Sequence, residues 1–236
     1  MFNSNLAIII PIYNEKENIL NLLDQIKLHI KYKVIVYFIY DFENDNTVPV
    51  INKNKNSYNF EIKLIKNKNK GPIGAIDTGF KNFKEDFCIV TMATLSDDLS
   101  NVNLMVQKYL AGYDIVCASR YMQNGAQIGG GLIKKTLSKF AGISLNFFTG
   151  IPTKDVTNNF RLYTKKFIRS VNIESKNGFE LGIELVVKGY LLENIKICEI
   201  PTIWRDRTQG NSKFRLFAWI PFYLKWYLFA FKVYFK

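Results

Sequence analysis

Apolar residues fall in two kinds of run that alternate along the first half of the chain. Leu6–Ile12 is apolar throughout, as in a strand of a parallel sheet covered on both faces. A helix is expected to begin at Asn14 or Glu15, because Ile19, Leu22, Leu23 and Ile26 then recur at helical spacing. Val34–Tyr40 predicts a second strand, closed by a polar turn at residues 41–46, and Thr47–Asn54 predicts a second helix. Residues 60–66 predict a third strand, and a glycine turn at 70–74 leads into a helix over 75–83. A fourth strand is expected over 87–92 with a polar turn at 93–98, then a helix over 102–111 and a fifth strand over 114–118.

This order predicts an α/β domain: a mostly parallel, Rossmann-like sheet with helices on both faces. Such sheets bind ligands beyond the carboxyl ends of their strands. The polar motifs fall there: Tyr13 to Glu15, Asp41 to Asp45, Thr94 to Asp98 and Ser119 to Tyr121.

The pattern changes after Tyr121. Residues 125–131 read as a flexible glycine-rich loop, and 132–148 as an amphipathic helix carrying Lys134, Lys135 and Lys139. Residues 155–163 start polar and end extended, 178–191 predict a helix and 195–201 a strand. The tail from Leu216 carries Trp219, Tyr223, Trp226, Tyr227, Tyr234 and five Phe, is interrupted by Lys225, Lys232 and Lys236, and has no acid. Its longest uncharged run is nine residues, well short of the ~20 needed to span a bilayer. An amphipathic helix lying in a membrane interface is expected, with a core-packing or dimer-forming helix as the alternative. The division expected is a catalytic-type domain over residues 1–213 and the tail over 214–236. The apolar run at residues 6–12 is short and lacks a basic flank and cleavage site, so no secretory leader is expected.

A formal net charge of +12 calls for an anionic partner: nucleotide phosphates, acidic lipid or nucleic acid. Nucleic acid is disfavoured, since the lysines are scattered and no helix-turn-helix or zinc motif stands out. Cys88, Cys117 and Cys198 sit in apolar runs without metal-site spacing, as reduced thiols of a cytosolic compartment do. His29, the single histidine, lies in a helical stretch and reads as structural.

The candidate chemistry lies at the strand ends and in one late loop. Glu15, Asp41 and Asp45 end neighbouring strands, where a carboxylate accepts hydrogen bonds from a base or ribose; Glu15 and Asp45 equally suit helix caps. Arg120 follows a buried strand, while Arg205, Arg207, Ser212 and Lys213 occupy a glycine-containing loop. Guanidinium and ammonium groups there can hold a diphosphate and stabilise charge developing on it. A hydroxyl acceptor would want a positioned carboxylate. Asp97, Asp98, Glu180 and Glu184 are the candidates, and the last two also read as an exposed helical stripe.

Seven segments fall in order: Pro11-Ile12-Tyr13-Asn14-Glu15, the acidic turn from Tyr40 to Thr47, the segment from Lys70 to Gly79, Ser119-Arg120-Tyr121, the segment from Asp155 to Arg161, Glu199-Ile200-Pro201 and the loop from Arg207 to Lys213. Together they resemble family 2 glycosyltransferases of the GT-A fold, and within them the dolichyl- or polyprenyl-phosphate sugar synthase group. The resemblance spans residues 6–213. It implies that Pro11, Tyr13, Glu15, Asp41, Lys70, Ser212 and Lys213 bind a nucleotide-sugar donor and that transfer inverts the anomeric centre; Arg120 and Arg207, with Asp97 and Asp98 from the residues alone, are the catalytic candidates. The resemblance also implies a polyprenyl-phosphate acceptor; with the basic aromatic tail this leads to an expected anionic membrane surface as partner and peripheral attachment to the cytoplasmic face, with a homo-oligomer left open.

One departure bears on the cofactor. The family places Asp-x-Asp after the fourth strand, where it holds Mg²⁺ or Mn²⁺ against the donor diphosphate. Here the aligned residues are Met92-Ala93-Thr94, leaving Asp97 and Asp98 as the replacement ligands expected. Two other readings stay open: transfer to a glycan or lipid-linked saccharide hydroxyl, and a catalytically weak nucleotide-binding or scaffold protein.

Overall fold

The computed structural model describes residues 5–176, 178–207 and 216–234. Its centre is a seven-stranded sheet of β1 (Leu6–Ile12), β2 (Val34–Tyr40), β3 (Glu61–Lys66), β4 (Phe87–Val90), β5 (Ile115–Ser119), β7 (Arg161–Thr164) and β8 (Ile197–Pro201). The order is β3-β2-β1-β4-β7-β5-β8. All neighbours are parallel except β7, which runs antiparallel between β4 and β5.

The apolar run of β1 explains its central place. Alternate residues face opposite sides of the sheet. Ala7 and Ile9 join one core with α3 (Gly71–Asn82) and α7 (Leu181–Tyr190); Leu6, Ile8 and Ile10 join the other with α1 (Ile19–His29) and α4 (Val102–Leu110). Helix α3 lies so close to β1 that a methyl on Gly79 would run into the Ile9 side chain.

Several boundaries differ from those expected, each for a local reason. Helix α1 starts at Ile19, four or five residues late, because the chain first turns through Asn14 at φ 55°. Helix α3 starts at Gly71 rather than 75, with Pro72 in its first turn, where a missing N–H does no harm. The glycine-rich segment read as a flexible loop contains β6 (Ala126–Ile128), paired in parallel with β9 (Ile203–Arg205). Short α6 (Lys165–Ser170), capped by the Thr164 hydroxyl, was not expected. Helices α2 (Thr47–Asn54), α5 (Leu132–Thr149) and α8 (Leu216–Tyr234) complete the chain as predicted in kind.

Candidate active site at the carboxyl edge of the sheet

The end of β1 is held by residues just beyond β2. Buried Asp45 accepts the Asn14 amide through Oδ2 (3.1 Å) and the Thr47 amide through Oδ1 (2.9 Å). The Thr47 hydroxyl in turn accepts the Glu15 amide (2.8 Å). Asp45 is therefore a structural staple that fixes the left-handed turn at Asn14, the cap side of the two readings left open for it. Tyr13 stays 45% exposed with its ring edge against Phe42, centroids 5.1 Å apart, an aromatic ledge open to the edge. Pro11 lies within β1, half-buried.

Asp41 ends β2 and already has protein partners. Its Oδ1 accepts from Asn67 Nδ2 (2.7 Å) and its Oδ2 from the Gly71 amide (2.8 Å). It thus anchors the start of α3, while a carboxylate's remaining lone pairs still leave acceptor capacity. Lys70, the residue before α3, is exposed and takes φ 53°. Asn67, which the sequence reading missed, organises this corner: its Oδ1 accepts from the Asn69 amide and the Thr78 hydroxyl, each at 3.0 Å.

The late basic segment returns to the same edge. Arg205 donates its amide to Ser96 O (3.0 Å) and Asp206 donates to Ile128 O (3.0 Å). Arg207 then reaches Glu15, with Nη2 to Oε1 at 3.5 Å and side chains 21% and 13% exposed. The fold so joins two expected site residues 192 positions apart. Ser212 and Lys213 lie outside the described residues.

Asp97 and Asp98 are neighbours that face different partners. Asp97 Oδ2 accepts from the Thr91 hydroxyl (2.8 Å) and the Met92 amide (3.4 Å), turning back toward β4. Asp98 Oδ1 accepts from the Ser100 amide (3.1 Å) and hydroxyl (2.6 Å), capping the turn that leads into α4. Among the described residues, no three His, Cys, Asp or Glu side chains stand together. Burial pushes the Asp97 carboxyl up to about 6, against those two hydrogen bonds and the charge of Arg120.

A sign follows for stability. Asp97 titrates higher in the fold than in the unfolded chain, whose reference is ~3.9, so folding favours its protonated form. Stability is expected to fall as pH rises from ~4 to about 6 and to be level in this respect above that. Asp97→Asn should therefore be more stable than the parent at neutral pH and match it in acid. Urea unfolding midpoints across that range test this; parallel pH profiles for the two proteins would refute it.

Arg120 is gripped rather than presented. Its Nε and Nη2 donate to Asp155 Oδ2 (2.7 Å) and Oδ1 (2.8 Å), a bidentate pair with side chains 11% and 0% exposed. Nη2 also reaches Thr157 Oγ1 (3.0 Å) and Ser138 Oγ (3.1 Å), and the guanidinium lies 4.9 Å from the Tyr121 ring centroid. Burial alone would raise the Asp155 pKa, but the Arg120 charge and hydrogen bonds outweigh it and hold the carboxyl below its ordinary range. Fully buried Arg161 braces the same node, donating Nη2 to Asp155 O (2.7 Å) and Nη1 to Gly182 O of α7. Asp155 and Arg161 entered the sequence reading only as the two ends of one family-like motif; their pairing with Arg120 and Gly182 requires the partners that the fold supplies.

Neither Glu180 nor Glu184 is an exposed stripe. Glu184 is fully buried, accepting the amides of Glu174 (2.7 Å) and Ser175 (2.8 Å) and an ion pair from Lys188 (2.7 Å). Its role is structural. Glu180 is buried at the start of α7 beside Tyr223 of α8, whose hydroxyl is pushed up by burial and by the Glu180 charge.

Helix α8 packs onto the domain and shares a face with α5. Trp226 donates to Ser175 Oγ (3.0 Å) between Lys188 and Lys225, whose ammonium groups lie 4.8 and 4.7 Å from its ring. Tyr227 and Ser144 hydrogen-bond at 2.9 Å, and Phe148 and Phe231 pack with centroids 5.9 Å apart. Outward on this pair stand Leu132 (78% exposed), Phe140 (66%), Phe147 (79%) and Phe217 (78%). An open apolar groove of about 610 Å³ runs along α5, with Lys135 and Lys139 among its walls. Among the described residues, no helix is long and apolar enough to cross a membrane.

The parallel sheet with its single antiparallel strand and the polar site at its carboxyl edge are the architecture of a GT-A-type glycosyltransferase domain. The chain belongs to glycosyl transferase family 2, whose model matches residues 7–171. It is 28% identical over 217 residues to a dolichol-phosphate mannosyltransferase of Pyrococcus furiosus, covering 89% of this chain and 59% of that protein. It is 25% identical over 218 residues to an undecaprenyl-phosphate 4-deoxy-4-formamido-L-arabinose transferase of Proteus mirabilis, covering 89% of this chain and 63% of that one. The chain thus spans about three fifths of the length of these curated relatives. Among solved structures it superposes on glucosyl-3-phosphoglycerate synthase of Mycobacterium tuberculosis in complex with Mn²⁺, UDP-glucose and phosphoglyceric acid. That match has a TM-score of 0.70 at 12% identity and covers 97% of this chain and 80% of the other.

Proposed function

We propose that this chain transfers a sugar from a nucleotide-diphosphate donor to polyprenyl phosphate at a membrane surface. The observation that carries the reading is the meeting of Arg207 with Glu15 at the sheet's ligand edge, on a domain that also bears the apolar, lysine-bordered α5–α8 face. The names of the two curated relatives, both polyprenyl-type phosphate transferases, point the same way.

In this reading Tyr13 and Phe42 offer a ledge for the base, with Pro11, Glu15, Asp41 and Lys70 around the nucleoside; Ser212 and Lys213 are further donor-binding residues. A phosphate oxygen of the acceptor attacks the anomeric carbon. The bond from that carbon to the diphosphate breaks, and the nucleoside diphosphate leaves with the electron pair, inverting the centre. A phosphate monoester is largely dianionic at neutral pH, its second pKa being ~6, so no general base has to remove a proton. Arg207 stabilises charge on the departing diphosphate. Arg120, tied to Asp155, serves by holding the loop after β5 in place. A divalent ion such as those bound by the mycobacterial enzymes would have to sit by Thr94, Asp97 and Asp98. The side chains there fit such an ion poorly, since Asp97 and Asp98 are turned to separate hydrogen-bond partners.

The α5–α8 face supports peripheral attachment to a membrane, in this reading to its cytoplasmic leaflet, with α8 packed on the catalytic domain. Mass spectrometry of lipids after incubation with a panel of nucleotide sugars and polyprenyl phosphate in vesicles is the direct test. A glycosylated lipid phosphate is the expected product. Transfer only to a saccharide hydroxyl, or nucleotide binding without turnover, would replace this reading with one of its two rivals.

A further inference from the structure

We infer that this chain neutralises its donor's diphosphate with a fixed arginine in place of a resident divalent cation; the inference rests on the nucleotide-donor reading above. Three observations carry it. The first is the donor set. Met92 and Thr94 occupy the two carboxylate positions after β4, and a thioether is a poor ligand for a hard cation. Thr94 Oγ1 is moreover hydrogen-bonded to Ser96 Oγ at 2.9 Å.

The second is the direction of the remaining acids. Asp98 is committed to capping the turn at Ser100, and Asp97 turns back to Thr91 and Met92. Facing different partners, these two adjacent carboxylates do not together chelate one ion.

The third is where positive charge is delivered instead. The segment leading to Arg207 is hydrogen-bonded to the loop that lost its carboxylates, through the Arg205 amide and Ser96 O at 3.0 Å. Arg207 is then set against Glu15 at the end of β1. Adding a dication would place two more positive charges near Arg207 with two fewer carboxylates to balance them. A guanidinium is always charged and fits phosphate oxygens in a fork, so it can serve the leaving group without coordination chemistry.

Calorimetric titration of the full chain with a set of nucleoside diphosphates, in excess chelator and in excess Mn²⁺, tests this. Affinity for the preferred nucleotide is expected to agree within about threefold between the two conditions. Arg207→Ala is expected to weaken that affinity by about tenfold or more in chelator. Met92→Asp combined with Thr94→Asp, if folded by circular dichroism, is expected to gain tighter binding in Mn²⁺ and a bound-Mn²⁺ signal by electron paramagnetic resonance. Binding seen only with Mn²⁺ would overturn the inference while leaving the donor reading intact. Unchanged affinity in Arg207→Ala would overturn the role given to that residue. No nucleotide bound in either condition would remove the donor reading itself.

Discussion

Asp155→Ala is expected to destabilise the fold by about 3–5 kcal/mol, because it strands a buried guanidinium without its counter-charge. Arg120 is only 11% exposed, and Asp155 takes two of its nitrogens as well as its backbone amide at 3.0 Å. Removing both partners should be milder than removing Asp155 alone, so a double-mutant cycle with Arg120→Ala is expected to show strong positive coupling. Asp155 titrates below its ordinary range in the fold, opposite in sign to Asp97. Its contribution is therefore fully present above ~4, the unfolded reference, and is lost as pH falls through its lower folded value. Urea unfolding of the four proteins at neutral and acid pH reads all of this. A loss below about 1 kcal/mol at neutral pH would mean that the pair behaves like a surface salt bridge.

Phe140→Asp together with Phe147→Asp is expected to release the chain from anionic vesicles. Each ring is mostly exposed on α5, and burying a Phe side chain is worth about 1.5–3 kcal/mol. Losing two amounts to a partition coefficient lower by about a hundredfold or more. The added acids also oppose the attraction of Lys134, Lys135 and Lys139, worth about 1 kcal/mol for each basic residue near such a surface. Vesicle flotation at low and high salt is the measurement. Parent protein that never floats, but sediments as a dimer that these substitutions dissociate, would show that the face binds a second copy.

Much of the sheet was legible because local patterns carry it. The unbroken apolar runs at β1 and β2 admit burial on two faces and little else, and both strands have the predicted bounds. The polar motifs at their ends follow from the same alternation. Less legible were elements whose stability comes from a remote partner. Strands β6 and β9 are three residues each and exist through their mutual pairing, which a glycine-rich stretch does not announce. The late start of α1 depends on Asp45, Thr47 and the turn at Asn14, contacts made across some thirty positions.

The site divides in the same way. Residue types at the strand ends and in the late basic loop were enough to nominate Glu15, Asp41, Asp97, Arg120 and Arg207, since charge and position along the chain are properties of the chain itself. Which of them are presented and which are consumed was decided by tertiary contacts. Asp98 became a cap, Asp41 an anchor for α3 and Glu184 a buried brace. Arg120 was claimed by Asp155, 35 residues away. The sequence by itself therefore determined the layered fold, its ligand edge and the absence of the usual carboxylates after β4, because composition and periodicity are local. Only the tertiary structure decided that Arg207 meets Glu15, because a hydrogen bond or ion pair is satisfied by whichever group folding brings within reach.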